Sequence, residues 1–172
     1  MWFEVPVSDA AVLAAPVPIK EMGRFNHEAV AVDPESSFVY LTEDRGDGLI
    51  YRFIPKEKGN FRAGGKLQAL SIKGKKGFDT RNWESQDVTI GDKLEVDWID
   101  LEDIDPDEDD LRLRGFAQGA ARFARGEGMW YGNDEVYFAC TNGGKAKQGQ
   151  VFRYIASDEE KKGNDKIGGH LG

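Results

Sequence analysis

The chain has 172 residues and a formal net charge of −8, and 40% of its residues are hydrophobic. That acidity excludes a nucleic-acid backbone as partner, which demands a basic surface, and the apolar content excludes a disordered chain. The single cysteine, Cys140, excludes an internal disulfide framework and a cysteine-based zinc cluster.

In chain order, residues 2–6 and 10–14 read as short strands, with Pro16 and Pro18 breaking the run. No basic start and apolar core of a signal peptide precedes them, and no apolar run is long enough to cross a bilayer as a helix. Residues 28–32, 38–43, 48–54 and 66–72 cluster or alternate apolar side chains between turn signals, as strands do. Pro34-Glu35-Ser36-Ser37 and Gly46-Asp47-Gly48 supply the turn chemistry. Leu94-Glu95-Val96-Asp97-Trp98-Ile99 has period-two alternation and is a further strand. Near residues 108–124 the pattern turns helical, with Leu111, Phe116, Ala120 and Phe123 at mixed three- and four-residue spacing. Strands return at 128–131, 135–141 and 149–155, and residues 157–172 are charged, Gly-rich and expected to fray.

One segment occurs twice. The first copy runs Asn26-His27-Glu28-Ala29, then Val39-Tyr40-Leu41-Thr42-Glu43-Asp44, then Gly48-Leu49-Ile50-Tyr51-Arg52-Phe53. The second runs Arg125-Gly126-Glu127-Gly128, then Val136-Tyr137-Phe138-Ala139-Cys140-Thr141-Asn142, then Gly149-Gln150-Val151-Phe152-Arg153-Tyr154. Repeated strand–turn–strand units build radial β architectures such as propellers. The expected fold is therefore all-β: residues 1–156 as a partial β-propeller of about three blades, too few to close a ring, with one inserted α-helix near 108–124 and a loose tail over 157–172. Equivalent ends of successive blades meet at one axis, so Glu28 and Glu127 are expected to converge. Like charges brought together invite a cation.

Gly23-Arg24-Phe25-Asn26-His27-Glu28-Ala29, Val39-Tyr40-Leu41-Thr42-Glu43-Asp44-Arg45, Arg125-Gly126-Glu127-Gly128-Met129-Trp130-Tyr131 and Cys140-Thr141-Asn142-Gly143-Gly144 resemble the PhoX-type alkaline phosphatase family. The resemblance spans roughly residues 20–155. It implies a calcium- and iron-dependent phosphomonoesterase on a β-propeller considerably longer than this chain, hence a fragment or a shortened relative. It further implies Ca2+ as cofactor, leaves Fe3+ open for the longer parent, and points to a periplasmic or extracellular setting and a small phosphate ester as substrate. The family's iron-site cysteine is expected upstream of these residues, so Cys140, in an apolar strand, is read as core.

Arg125 and Glu127, two residues apart, point to one face of an extended segment. A guanidinium offers a planar fork to phosphate oxygens, and hard cations neutralise developing charge. By spacing alone a surface Arg–Glu ion pair is the more ordinary reading; with the resemblance Arg125, Glu127 and Glu28 become the catalytic candidates. Calcium takes about six to eight oxygens, so Glu28, Glu127, Glu43 and Asn142 are the metal-ligand candidates. Glu43-Asp44-Arg45 reads equally well as a capped turn, and His27 reads as structural. The acidic run Asp105-Pro106-Asp107-Glu108-Asp109-Asp110 matches the first half of an EF-hand loop but lacks its sixth-position Gly, and Phe116 stands where the bidentate Glu belongs. The alternative function is a non-catalytic propeller segment whose carboxylates bind calcium to hold blades together.

Overall fold

The computed structural model describes residues 1–7 and 12–172. The strands are β1 (His27–Val32), β2 (Val39–Glu43), β3 (Ile50–Glu57), β4 (Asn60–Ile72), β5 (Leu94–Asp100), β6 (Gly126–Gly132), β7 (Glu135–Cys140), β8 (Gln150–Ile155) and β9 (His170–Leu171). Among the described residues two α-helices interrupt them, α1 (Leu111–Gln118) and α2 (Asp158–Lys161). Among the described residues the strands form one antiparallel sheet in the order β1-β2-β3-β4-β5-β9-β8-β7-β6. Its two edges, β1 and β6, return against each other, so the sheet nearly closes into a barrel. No helix among the described residues is long and apolar enough to cross a membrane.

The duplication is a structural repeat. Val39, Tyr40 and Leu41 pair with Phe53, Arg52 and Tyr51, while Val136, Tyr137 and Phe138 pair with Tyr154, Arg153 and Phe152. One side of the first repeat, with Ala31, Tyr40 and Ile50, packs against Val136, Phe138, Cys140, Phe152 and Tyr154 of the second. Phe123 wedges between them, edge-on to Phe138 and Phe152. The other side of the first repeat, with Val39, Leu41, Tyr51 and Phe53, is covered by Ile19, Met22, Leu101 and Leu111. β2 is therefore buried on both faces, whereas β7 alternates buried and half-buried. Each fully buried Leu or Phe removes enough apolar area from water to stabilise the fold by roughly 1.5–3 kcal/mol.

Within the barrel lies a polar cluster. Arg52 and Glu160, both fully buried, form an ion pair at 2.6 Å. The Arg52 Nε–H and Nη2–H groups donate to Gln68 Oε1 at 3.0 and 2.6 Å. Tyr40 donates its hydroxyl to Glu160 Oε1 at 2.7 Å, and Tyr154 donates to Oε2. The Arg52 guanidinium also lies 4.5 Å from the Trp98 ring centroid.

Three expectations need correction. The helix expected near 108–124 ends at Gln118, because Gly119 adopts a left-handed conformation at φ 117° and caps it. Residues 120–124 instead run extended, with Ala121 N–H donating to Leu70 O and Phe123 N–H to Gly48 O. The tail at 157–172 does not fray: Ser157 caps α2, Glu160 enters the core, and β9 pairs with both β5 and β8. At the N-terminus the strand expected over 2–6 reduces to a single bridge between Phe3 and Pro18, and the one over 10–14 falls partly outside the described residues.

Candidate functional site

β1 and β6 each carry one extra residue at the same point of the repeat. Along β1 the register jumps between His27, opposite Glu43, and Val30, opposite Leu41. Along β6 it jumps between Gly126, opposite Cys140, and Met129, opposite Phe138. Glu28 and Glu127 sit in these corresponding bulges, a device that re-aims side chains where a strand pairing is interrupted.

Thr42 joins the two bulges. Its buried hydroxyl accepts from Ala29 N–H at 2.9 Å and donates to Glu127 O at 2.7 Å. β6 comes this close because position 126 is glycine: a Cβ there would meet Thr42 Cβ at 3.2 Å and Glu43 O at 3.3 Å. One hydroxyl thus holds the backbones bearing Glu28 and Glu127 at a single corner of the barrel.

Arg125 caps that corner with φ at +56°, a region non-glycine residues seldom occupy. Its N–H donates to Arg45 O at 2.8 Å, and its carbonyl accepts from Thr141 N–H at 3.0 Å, which holds the conformation from both sides. The guanidinium grips Asp44 through two hydrogen bonds, at 2.8 and 2.9 Å. It also reaches Glu127 Oε1 at 3.1 Å. Thr141 donates its hydroxyl to the same Glu127 oxygen at 2.8 Å. The bond to Asp44, then the fields of Glu127 and Glu28, hold the Arg125 pKa above its ordinary value. The Arg–Glu ion pair anticipated from spacing is present, and Asp44 is its third member.

The other candidates lie apart. Glu43, one residue from Thr42 along β2, faces the opposite side and is fully buried. Its Oε2 accepts from Leu49 N–H at 3.0 Å and from Tyr51 O–H at 2.8 Å, while Oε1 has no partner among the described residues. Burial pushes its carboxyl up to about 7. Asn142 is engaged through its backbone carbonyl, which accepts from the Trp83 indole N–H at 2.7 Å. His27 packs between Trp2 and Phe25 with Nε2 against Gly23 O, and burial lowers its pKa to about 4, so it stands neutral and structural. Cys140 is fully buried in the core, its thiol pushed upward by that burial.

Asp44, Thr42 and Thr141 belong to this corner and were not singled out from sequence. Asp44 and Thr141 occupy equivalent positions, each donating its N–H to the residue ahead of the bulge, Asn26 or Arg125; that equivalence was the available signal. The acidic run 105–110 is largely met by cations instead: Lys20 pairs with Asp105, Arg45 and Arg112 with Asp109, and Arg114 with Asp110. A cleft of about 240 Å³ opens beside the corner, lined by Arg24, Phe25, Asn26, Arg45, Asp107 and Asp109.

For calcium, the residues suit in kind but not in number. Glu28 and Glu127 offer hard oxygen donors at one corner, yet no group of three or more His, Cys, Asp or Glu among the described residues could hold a metal. A complete shell needs oxygens beyond these.

No curated protein matches the chain. Among solved structures, Pseudomonas fluorescens PhoX in complex with vanadate, a transition state analogue, aligns with a TM-score of 0.62 at 22% identity. The alignment covers 92% of this chain and 32% of that one, so the chain spans about a third of that protein's length. The likeness in shape speaks for the fold. Membership rests on the family profile described as Alkaline phosphatase PhoX, which matches residues 1–167: the chain belongs to that family.

Proposed function

We propose that the corner formed by Arg125, Glu28 and Glu127 is part of the phosphate-handling centre of a calcium-dependent phosphomonoesterase. The observation that carries this reading is the meeting of two equivalent bulges, each presenting a glutamate, beside one guanidinium. Glu28 and Glu127 would hold the cation, which supplies a positive charge to polarise a phosphoryl group. Arg125 binds and orients. Its fork is taken by Asp44, so a phosphate dianion gains it by displacing or sharing that carboxylate, an exchange between similar bidentate partners. The vanadate held by the Pseudomonas fluorescens protein is an oxyanion of the same kind, consistent with a phosphate ester as substrate.

The test is hydrolysis of p-nitrophenyl phosphate by the protein expressed from its complete reading frame, with and without a calcium chelator. Chelation should abolish turnover, and Arg125→Ala should lower kcat/KM by about 100-fold or more, the scale of one lost charge-stabilising donor. Turnover indifferent to chelation rejects the calcium role, and full activity in Arg125→Ala removes that residue from the site. The closed ion pairs around Arg125 favour one second reading, a cation-bound corner that only fastens β1 to β6. In that case calcium would raise the melting temperature while Arg125→Ala left turnover unchanged.

A further inference from the structure

The segment between β4 and β5 belongs to neither repeat, yet it reaches both sides of the Arg125 corner. It is first pinned to the stretch that leads into Arg125. Arg122 N–H donates to Phe78 O at 2.9 Å and Thr80 N–H to Arg122 O at 3.1 Å, and the Thr80 hydroxyl donates to that same carbonyl at 2.8 Å. Beyond this anchor Arg81 turns to the loop of the first repeat. Its Nη1–H donates to Gly46 O at 3.0 Å, while Nε–H and Nη2–H hold the two oxygens of Asp79 at 2.8 and 2.6 Å. Trp83 turns to the equivalent loop of the second repeat. Its indole N–H donates to Asn142 O at 2.7 Å, and Gly144 N–H donates back to Arg81 O at 2.8 Å. The Arg81 guanidinium lies 4.0 Å from the Trp83 ring centroid, so the two side chains brace one another.

We propose that Arg81 and Trp83 are positioning residues for the phosphate-binding arginine: together they clamp the two loops whose backbone groups hold Arg125 in its left-handed conformation. This rests on the reading of Arg125 given above. A non-glycine residue at φ +56° persists only where its surroundings over-determine it. For Arg125 those surroundings are Arg45 O, one residue before Gly46, and Thr141 N–H, one residue before Asn142. The arm thus seizes each loop within one residue of the group that Arg125 uses. The same loops carry Asp44, which grips the guanidinium, and the Thr141 hydroxyl, which meets Glu127. The spacing of both carboxylates about Arg125 is therefore set from one arm. The Arg81 fork is spent on Asp79 and Gly46, and the Trp83 N–H on Asn142, so both residues act through Arg125 and not on the phosphate.

Two variants test the clamp. Trp83→Phe keeps a ring and removes the N–H, and Arg81→Lys keeps the charge beside Asp79 and removes the fork. In the 172-residue chain, amide exchange reads the clamp without reference to turnover. The Thr141 and Arg125 N–H groups should exchange roughly tenfold faster in Trp83→Phe, and Arg125 N–H likewise in Arg81→Lys, the scale of one lost hydrogen bond. Amides of the β3–β4 pairing should be unchanged. In the protein expressed from its complete reading frame, Trp83→Phe should lower kcat/KM for p-nitrophenyl phosphate by about tenfold or more, since a misplacement of about 1 Å can cost on the order of 100-fold. In an Arg125→Ala background the same change should have no further effect, a coupling that general destabilisation does not produce. Unchanged exchange at both amides, an unchanged kcat/KM, or a loss that persists in full beside Arg125→Ala overturns the proposal. Full turnover in Arg125→Ala alone rejects the phosphate-binding reading itself, and the positioning role falls with it.

Discussion

The first repeat, β1–β3, and the second, β6–β8, share strand register, bulge position and the cross-strand Tyr–Arg pair, yet they live in different solvents. Tyr40 and Arg52 are fully buried, whereas their counterparts Tyr137 and Arg153 reach the surface. The local sequence dictates the pairing in both; what lies opposite decides whether a charge becomes a core element. An arginine inside a barrel persists because Glu160, Gln68 and two tyrosines satisfy the group, not because the strand prefers it.

The largest test of that contrast removes one charge from the buried pair. Arg52→Met should destabilise the chain by about 3–5 kcal/mol in urea unfolding, because Glu160 is left charged in the core. Replacing Arg52 and Glu160 together by methionine should recover much of the loss; a double variant no better than the single one would show that the hydrogen bonds matter more than the charges.

Glu43 sharpens the comparison through pH. The second repeat has Cys140 at that position, while Glu43 is a buried acid whose pKa rises from 4.5 to about 7. A pKa raised by folding means that the native state holds the proton more tightly. Its contribution is present below the unfolded pKa and lost as pH climbs through the folded one. Between pH 4.5 and 7 the wild type should therefore lose up to about 3 kcal/mol relative to Glu43→Gln, read from paired denaturation curves. Parallel curves for the two proteins would refute a buried, proton-retaining carboxyl.

Thr42→Val should cost about 1–3 kcal/mol by leaving Ala29 N–H and Glu127 O without their shared partner. Amide exchange at Ala29 should accelerate, and Thr42→Ser should restore most of the protection. The smallest effect belongs to the exposed arginine: Arg153→Met should change the stability of the 172-residue chain by less than about 0.5 kcal/mol. A cost near that of Arg52→Met would dissolve the contrast between the repeats.

Much of this fold is written in local pattern. The duplicated Val-Tyr strands and the arginine-bearing strands that pair with them, the alternation in β5 and the convergence of β1 with β6 all follow from spacing of two and from repetition. What is not written locally depends on contacts across more than a hundred residues. Glu160 looks like one acid among several in a charged tail, and only Arg52 and Tyr40, far upstream, make it a core residue. Residues 120–124 carry apolar side chains compatible with a helix, but the groove between Leu70 and Gly48 offers them extended backbone partners after Gly119 ends the turn. At the corner, the equivalence of Glu28 and Glu127 was legible from the repeat, and the Arg125–Glu127 ion pair from their spacing of two. The inward turn of Glu43 was not, because only the three-dimensional crowding around Leu49 and Tyr51 decides it.

The seam between the two halves of the sheet is the pair of residues His170 and Leu171, which bond to β5 on one side and β8 on the other. During synthesis β5 is finished some seventy residues before that pair, so its outer edge waits open while the second repeat is made. Arg52 waits longer still for Glu160, across more than a hundred residues of chain. Closure therefore belongs to the end of folding, and loop entropy makes such distant pairings slow. Until they form, the first meander carries an unpaired strand edge and an unanswered charge, which is when this protein is most exposed to mispairing with a neighbour.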